Sequence, residues 1–498
     1  MALKTWQQYV ESLKDGRVVY SDGERVTDVT THKYLKLRTG MHIIDYAFAD
    51  DPKYRDIFVD KDANGEEISA VFNPTKTAAD LLRRREMIML VSRTCFGFPG
   101  GAKFTGIDAL NALTVVCRRM DRALKTHYSD NVEKFRSLLQ KEDLAVVASV
   151  SDLKGDRSLR PSKQVPHQDY YVHVVERRPD GVVVRGAKTH ISGAPCANEL
   201  LVIPSRSHSE EDKDYAIAFS IPADTKGITI LDSAREIGGQ GNDFDDPIFS
   251  ARHGGHGTII FDDVFVPNDR IFLNGEAKFS GEIAYMFGNF HRLSGDAYKY
   301  AQLEILVGAA ALMAEYNGLE KVNHIRNKLA SLVLYCEGVE ALGRQACMDC
   351  VIDPEIGLAY PNPMVSNTAK FYFANYYHEA LKLVEDIAGG FVATSPGGKD
   401  YDNPEIRPMI DKYFGGKAGV KAEHRLRAAK LVKDLGASDY DLCTIHAEGS
   451  LEAQRMAVLA LADFGRYKAS AKRAARINDG TSHPAFADLP KFPVPGFD

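Results

Sequence analysis

The chain has 498 residues, 44% hydrophobic and 26% charged, with a formal net charge of -6; at roughly 150 residues per domain, this ordinary globular balance implies about three domains. No basic excess points to nucleic acid, no polybasic run points to an anionic membrane, and no window approaches the ~20 uninterrupted apolar residues of a spanning helix. Seven scattered cysteines are not a disulfide framework and suit a reducing cytoplasm, and the segment Met1–Tyr9 lacks the pattern of a secretory signal.

Residues 1–144 are predicted to be an N-terminal helical domain. Ala78–Ser92 and Asp108–Leu124 carry apolar residues at three- and four-residue spacing between charges, the period of a half-buried helix. Residues 145–280 change texture and are predicted to form a β-domain. Ala145–Val150 is a short apolar run; Tyr170–Glu176 alternates, turns at Arg178-Pro179-Asp180-Gly181 and returns through Val182-Val183-Val184, a hairpin pattern. Residues 281–480 are predicted to form a helical bundle from Tyr300–Tyr316, Val322–Met348, Ser366–Ala388 and Ser450–Ile477, lengths that bundles use. Gly/Pro-rich breaks fall at Asp353–Pro363 and Thr394–Asn403, and 481–498 reads as a tail. Cys347-x-x-Cys350 lacks a second pair or nearby histidines; it reads as two buried helical cysteines, with redox or metal chemistry the alternative.

Several runs then carry a resemblance. Lys154-Gly155-Asp156-Arg157-Ser158, Val183-Val184-Arg185-Gly186-Ala187-Lys188, Ser192-Gly193-Ala194-Pro195, Phe261–Arg270, His291-Arg292, Gly308–Ala311, Asp386–Gly390 and Gly449-Ser450 resemble the 4-hydroxyphenylacetate 3-monooxygenase and 4-hydroxybutyryl-CoA dehydratase superfamily, in one order from about residue 5 to 477. By texture the chain resembles the dehydratase branch more. The resemblance implies an α+β, acyl-CoA dehydrogenase-like fold: N-terminal helical domain, central β-barrel domain, C-terminal four-helix bundle. It also implies FAD and a homotetramer. The residues alone do not establish FAD, because no G-x-G-x-x-G lies between a strand and a helix.

On this reading Ser149, Ser151, Lys154, Gly155 and Arg157 expose hydroxyls, backbone N–H groups and a planar cation toward the flavin's edge and phosphates; the same residues also fit a solvated turn. Ser192, with His190 beside it, is expected to face the flavin ring, where a hydrogen bond tunes its electronics. Asp386, Gly389 and Gly390 are expected to meet the FAD of a neighbouring subunit, or else to be a plain helix C-cap. His446 and Gly449 open the last helix, whose N–H groups suit an anionic or carbonyl edge; relatives carry glycine where Glu448 stands.

The dehydratase branch holds an iron–sulfur cluster on three cysteines and a histidine. Here those positions read Gly100, Phe104, His291 and Tyr298, and Cys95 is five residues out of register. No metal is therefore expected. The dehydratase's carboxylate, tyrosine and strand acid correspond to Cys443, Gly295 and the His256-Gly257-Thr258 run. In the monooxygenase branch the substrate-contacting histidine matches Ala148, and Gly100–Phe104 holds Lys103 in place of the Arg-x-x-x-Tyr motif. His291, Tyr298 and Lys299 are the candidate catalytic residues, with Lys103, Phe104 and Ala148 at the substrate. Phe104 and Tyr298 are expected to fill the former cluster space, with His291 close by and with His291, Lys299 or substrate on the Tyr298 hydroxyl.

The expectation is an FAD-dependent oxidoreductase: a reduced-flavin monooxygenase acting on a small cyclic or aromatic substrate, with a separate flavin reductase as partner. Alternatives are a cluster-free dehydratase or isomerase acting on a hydroxyacyl- or enoyl-CoA, and an inactive flavin-binding scaffold.

Overall fold

The computed structural model describes residues 3–233, 242–438, 441 and 444–489; Cys443 and the tail beyond Leu489 lie outside them. The first helices are α1 (Trp6–Ser12), α2 (Leu35–Asp50), α3 (Ala78–Thr94), α4 (Phe104–Leu124) and α5 (Tyr128–Glu142). Capping boxes start α1 (Thr5 with Gln8) and α3 (Thr77 with Asp80), each satisfying backbone donors that a helix start leaves open.

This region is not purely helical. Strands β1 (Val19–Ser21), β2 (Glu24–Val26), β3 (Val59–Lys61) and β4 (Glu67–Ser69) interrupt it. Each has three residues, too few to show an alternating pattern. β1 leaves its own region and pairs in parallel with β10 (Ile228–Asp232), Val19 opposite Ile230.

The other central strands are β5 (Val146–Ser149), β6 (His173–Arg178), β7 (Gly181–Ser192), β8 (Glu199–Val202), β9 (Ile217–Pro222), β11 (His256–Pro267) and β12 (Ile271–Asn274). They form a six-stranded sheet, β2-β1-β10-β11-β7-β6, and a four-stranded sheet, β12-β9-β8-β5. The expected barrel is corrected: among the described residues the two sheets remain open. Past the end of β5 the chain meets β7 through one isolated bridge, Asp152 to Lys188, and the sheets face each other across an apolar core containing Val184, Ile217, Phe219, Ile230, Ile259 and Phe261. That is sandwich packing, in which inner faces interdigitate without a closed ladder.

The C-terminal helices are α6 (Ala277–Tyr316, 40 residues), α7 (Asn323–Met348), α8 (Pro363–Ala388), α9 (Ala422–Gly436), α10 (Leu451–Leu461) and α11 (Phe464–Ala475). Asn362 caps α8 with Pro363 in its first turn, where the missing N–H costs nothing. The single helix expected over Ser450–Ile477 is two, because Asp463 leaves the first and caps the second through the Arg466 N–H. Cys347 is buried against Leu81, Leu293 and Ala359, and burial pushes its thiol up to about 12. Cys350 lies past the end of α7 and is half-buried. Among the described residues no helix is long and apolar enough to cross a membrane.

One glycine positions the site. The Cβ of any other residue at Gly106 on α4 would strike the Val146 carbonyl of β5. Its absence seats the helix directly on the strand. Asp108 of α4 and Ala148 of β5, each two residues further along, are thereby carried on two docked elements.

Candidate active site

On α6, His291, Gly295 and Tyr298 recur at spacings of four and three, so they share one helix face. His291 turns to α4, its Nδ1 3.1 Å from Asp108 Oδ2. Asp108 is fully enclosed and has further partners: Arg84 donates at 2.7 Å and the Ser294 hydroxyl at 3.0 Å, both to Oδ1. A buried carboxylate is tolerable only when paired and hydrogen-bonded in this way. The Nδ1 contact orients the imidazole and leaves Nε2 for a ligand, the arrangement used to fix a histidine for proton transfer. Phe287 stacks on the ring at 4.8 Å.

Glu448 joins this helix from the other side. It has φ +58°, a left-handed conformation in which glycine is the usual residue. Its carboxylate occupies the space above Gly295, whose Cβ, if present, would lie 2.7 Å from the Glu448 Cδ. The Tyr298 hydroxyl and the Lys299 ammonium both donate to Glu448, and Lys299 also donates to the Tyr298 oxygen at 2.9 Å. Burial pushes the Glu448 carboxyl upward, but Lys299, Lys370 and His291 outweigh that and hold it below the ordinary value. Lys299 thus answers the question of the Tyr298 partner, and Glu448 is a further one that the sequence did not suggest.

Behind this triad lie Asp296 and Lys370, both with 0% exposure. Neither carboxyl oxygen of Asp296 has a hydrogen-bond partner. Burial raises its pKa to about 8, against the pull of Lys299. Burial, with repulsion from Lys299, lowers Lys370 to about 7 while its ammonium donates to the Ile445 carbonyl at 2.8 Å. Two groups titrating near neutrality inside a bundle can hold or release protons there.

Where the resemblance implies cysteines, the space is filled otherwise. The sulfur of Cys95 lies over Gly100; Phe104, buried at the start of α4, lies over Gly101 under the Arg84 guanidinium. Phe104 and Tyr298 both belong to the main apolar core. Among the described residues no group of three His, Cys, Asp or Glu side chains is placed to hold a metal.

The sheet contributes a second set. Asp152 pairs with Lys188 at 2.8 Å, and Lys188 donates to the Val150 and Ile203 carbonyls, pinning the chain after β5. Ser149 is enclosed with an unpartnered hydroxyl, while Ser151 and Lys154 are half-buried and Gly155 and Arg157 exposed. Lys154 and Gly155 both have positive φ, and any side chain at Gly155 would strike Gln164 and Tyr170. Across the β7–β11 ladder, Ser192 Oγ lies 2.9 Å from His256 Nδ1. Burial, helped by Arg38, lowers His256 to about 4, so its imidazole is neutral at pH 7. His190 is exposed, in a positive-φ conformation.

Other predicted residues stand apart. Lys103 is 1% exposed and its ammonium is held by Asp143 at 2.7 Å over the Tyr46 ring; it is a core cation of the N-terminal region. Asp386 pairs with Lys328 on the surface. Gly389 caps α8 at φ +73°, and nothing surrounds it or Gly390. His446 and Gly449 are exposed ahead of α10, while Ala148 packs partly buried against the main core. Reasoning from sequence missed Asp108, Lys370 and His256 as site members. Asp108 was read only as the first residue of a predicted helix, Lys370 lay within a helix read as part of the bundle, and His256 in a run noted only for a missing acid.

Two models of one family match the chain: the 4-hydroxyphenylacetate 3-hydroxylase N-terminal model over residues 5–273 and its C-terminal model over residues 280–476. The chain is 31% identical to the 4-hydroxybutyryl-CoA dehydratase/vinylacetyl-CoA-Δ-isomerase of Clostridium aminobutyricum, over 95% of this chain and 100% of that one. It is 28% identical to the 4-hydroxyphenylacetate 3-monooxygenase oxygenase component of Thermus thermophilus, over 88% and 89%. A solved archaeal 4-hydroxybutyryl-CoA dehydratase from N. maritimus matches with TM-score 0.89 at 28% identity, over 97% of each chain. The oxygenase component HpaB complexed with FAD and 4-hydroxyphenylacetate matches with TM-score 0.86 at 26% identity, over 95% and 98%. The chain belongs to the 4-hydroxyphenylacetate 3-hydroxylase (HpaB) family.

Proposed function

We propose that this protein is an FAD-dependent monooxygenase that uses reduced flavin from a separate reductase to hydroxylate a small cyclic or aromatic substrate. The observation that carries the reading is the filling of the cluster positions: Cys95 over Gly100, the Phe104 ring, and Tyr298 tied to Glu448 and Lys299. The dehydratase relative's chemistry would have to run here without those thiolates, whereas other family members are described as an FADH2-dependent monooxygenase and as an oxygenase component complexed with FAD.

The residues present fit FAD. The unpartnered Ser149 hydroxyl, Ser151, Lys154, Gly155 and Arg157 offer donors and charge for the flavin edge and phosphates. Ser192 would meet the ring, and His446 and Gly449 the facing edge. Asp386, Gly389 and Gly390, exposed here, would reach the flavin of a neighbouring subunit in a homotetramer. Bound and reduced, FAD supplies with dioxygen the oxygen atom that is inserted. His256, neutral and hydrogen-bonded to Ser192, orients that hydroxyl. His291, held by Asp108, accepts or returns the substrate's proton, and the buried Tyr298–Lys299–Glu448 triad keeps the wall of the pocket polar and dry.

Anaerobically purified protein is expected to bind FAD at one per chain without stoichiometric iron. When reduced FAD and dioxygen are mixed with it, a hydroxylated product is expected to form from a hydroxylatable substrate, and flavin reoxidation followed by its visible spectrum is expected to change rate when that substrate is present. Iron near about four atoms per chain, or elimination of water from a hydroxyacyl-CoA without dioxygen, would refute the oxygenase reading and favour the lyase.

A further inference from the structure

Arg292 leaves α6 one position after His291 and is 9% exposed. Among the described residues it has no hydrogen bond and no ion pair, and its Nε is fully enclosed. The contrast within the molecule is sharp. Arg17, Arg38, Arg84, Arg85, Arg136 and Arg252 are buried to a similar degree, and each is hydrogen-bonded to a carbonyl, carboxylate or imidazole. A guanidinium with an enclosed Nε and no bonded partner is costly to keep, so a protein that retains one has a use for it outside its own contacts.

The nearby carboxylates attract it without bonding it: Asp296 and Glu448 act only over distance, and burial outweighs them. Asp108 is occupied by Arg84, Ser294 and His291, and Glu448 by Lys299 and Tyr298. Asp296 has no hydrogen bond to any cation. The guanidinium lies between two residues without side chains. A Cβ at Gly288 would be 3.1 Å from its Nη1, and one at Gly449 would be 3.7 Å from its Nη2. Gly449 leads into the first turn of α10, where the Ser450 side chain serves the Ala453 N–H. The N–H groups of Leu451 and Glu452 precede any intrahelical acceptor, as at every helix start. Glu452 itself is exposed beside Arg455, with a shortest N–O separation of 3.7 Å. A planar, forked cation facing a helix N-terminus across bare backbone matches the geometry of a carboxylate.

We propose that Arg292, with the start of α10, is the receptor for a carboxylate on the substrate, and that the protein therefore selects small cyclic or aromatic acids over their neutral analogues. This rests on the oxygenase reading for what happens to the acid, but not for its binding. The sites that the resemblance would assign to substrate do not supply such a receptor: Ala148 has no polar side chain, and Lys103 is held by Asp143.

The test uses the full chain loaded with oxidised FAD, without reductant, and measures binding of benzoate and of its neutral isostere benzamide by calorimetry. Benzoate is expected to bind at least about 10-fold more tightly, the scale of one charge-assisted pair. Arg292→Met is expected to abolish that preference while leaving benzamide and FAD affinity within about 2-fold. Arg292→Lys is expected to retain part of it, because a point charge replaces the fork. The Met variant is expected to melt no lower than the parent, since an unpaired buried charge is removed; a guanidinium serving the fold alone would give the opposite. Equal affinity for the two probes, or no binding of either, overturns the proposal. So does a loss of FAD affinity in Arg292→Met matching any loss for benzoate, which would assign the arginine to a cofactor phosphate. A benzoate preference in a protein that fails the reduced-flavin assay leaves the receptor standing and overturns only the oxygenase reading.

Discussion

At the scale of single residues, the site depends on Glu448. It adopts a conformation that favours glycine and reaches into space left by Gly295, where it receives both Tyr298 and Lys299. Glu448→Gln leaves the fully buried Lys299 without a counter-charge, and is expected to destabilise the fold by about 3 kcal/mol in chemical denaturation. The paired replacement Glu448→Leu with Lys299→Met is expected to recover most of that loss. Asp296 gives a pH signature. Its folded value, about 8, is raised above the unfolded one, so its contribution is fully present below about pH 4 and is lost as pH rises through 8. Lys370, lowered to about 7, has the opposite sign, its contribution being present above about pH 10.5 and lost as pH falls through 7. Between pH 5 and 7 Asp296 dominates the pair. Asp296→Asn is therefore expected to gain about 2 kcal/mol on the parent over that window; a constant difference would mean that the carboxyl titrates normally.

At the scale of elements, the β7–β11 ladder sets the pair proposed to face the flavin. Its register puts His256 opposite Ser192, and the two side chains meet at 2.9 Å. Ser192→Ala is expected to shift the visible spectrum and reduction potential of bound FAD while the fold is kept. His256→Gln is expected to give a smaller shift of the same sign, since it acts through the serine. An unchanged spectrum, potential and turnover in Ser192→Ala would put the residue away from the ring. The β6–β7 hairpin that ends near this pair was legible because alternation and Pro179-Asp180 mark it. The strands β1 and β2 were not, since three residues show no period and β10, the strand that ties β1 to the sheet, lies some 200 positions away. Likewise Ser192 was singled out by resemblance, whereas His256 emerged only when the ladder set it across from the serine.

At the scale of the molecule, the order helices, strands, helices was readable from changes in hydrophobic period. Closure of the strands was not, because it depends on whether β5 and β7 form a ladder, and only an isolated bridge from Asp152, beyond β5, reaches β7. The C-terminal end leaves Met456, Leu459, Phe464 and Tyr467 exposed on α10 and α11, and α11 buries nothing within the described residues. Such a surface is what a subunit contact covers. Sedimentation is expected to give a tetramer, with Phe464→Glu and Tyr467→Glu together shifting it toward smaller species. A monomeric parent would remove the neighbouring subunit from the flavin site.

The 40-residue helix α6 has one more consequence. At about 1.5 Å per residue it is a rod of roughly 60 Å, and His291, Arg292, Gly295, Asp296, Tyr298 and Lys299 are notches cut within about two and a half turns of it. Their separations belong to the rod and cannot be adjusted one at a time. Such a ruler lets a lineage change what is written at each mark while the marks stay fixed. Exchange of a thiolate for a phenol, or of a side chain for the gap that admits Glu448, can then alter the chemistry of the pocket without redrawing its dimensions.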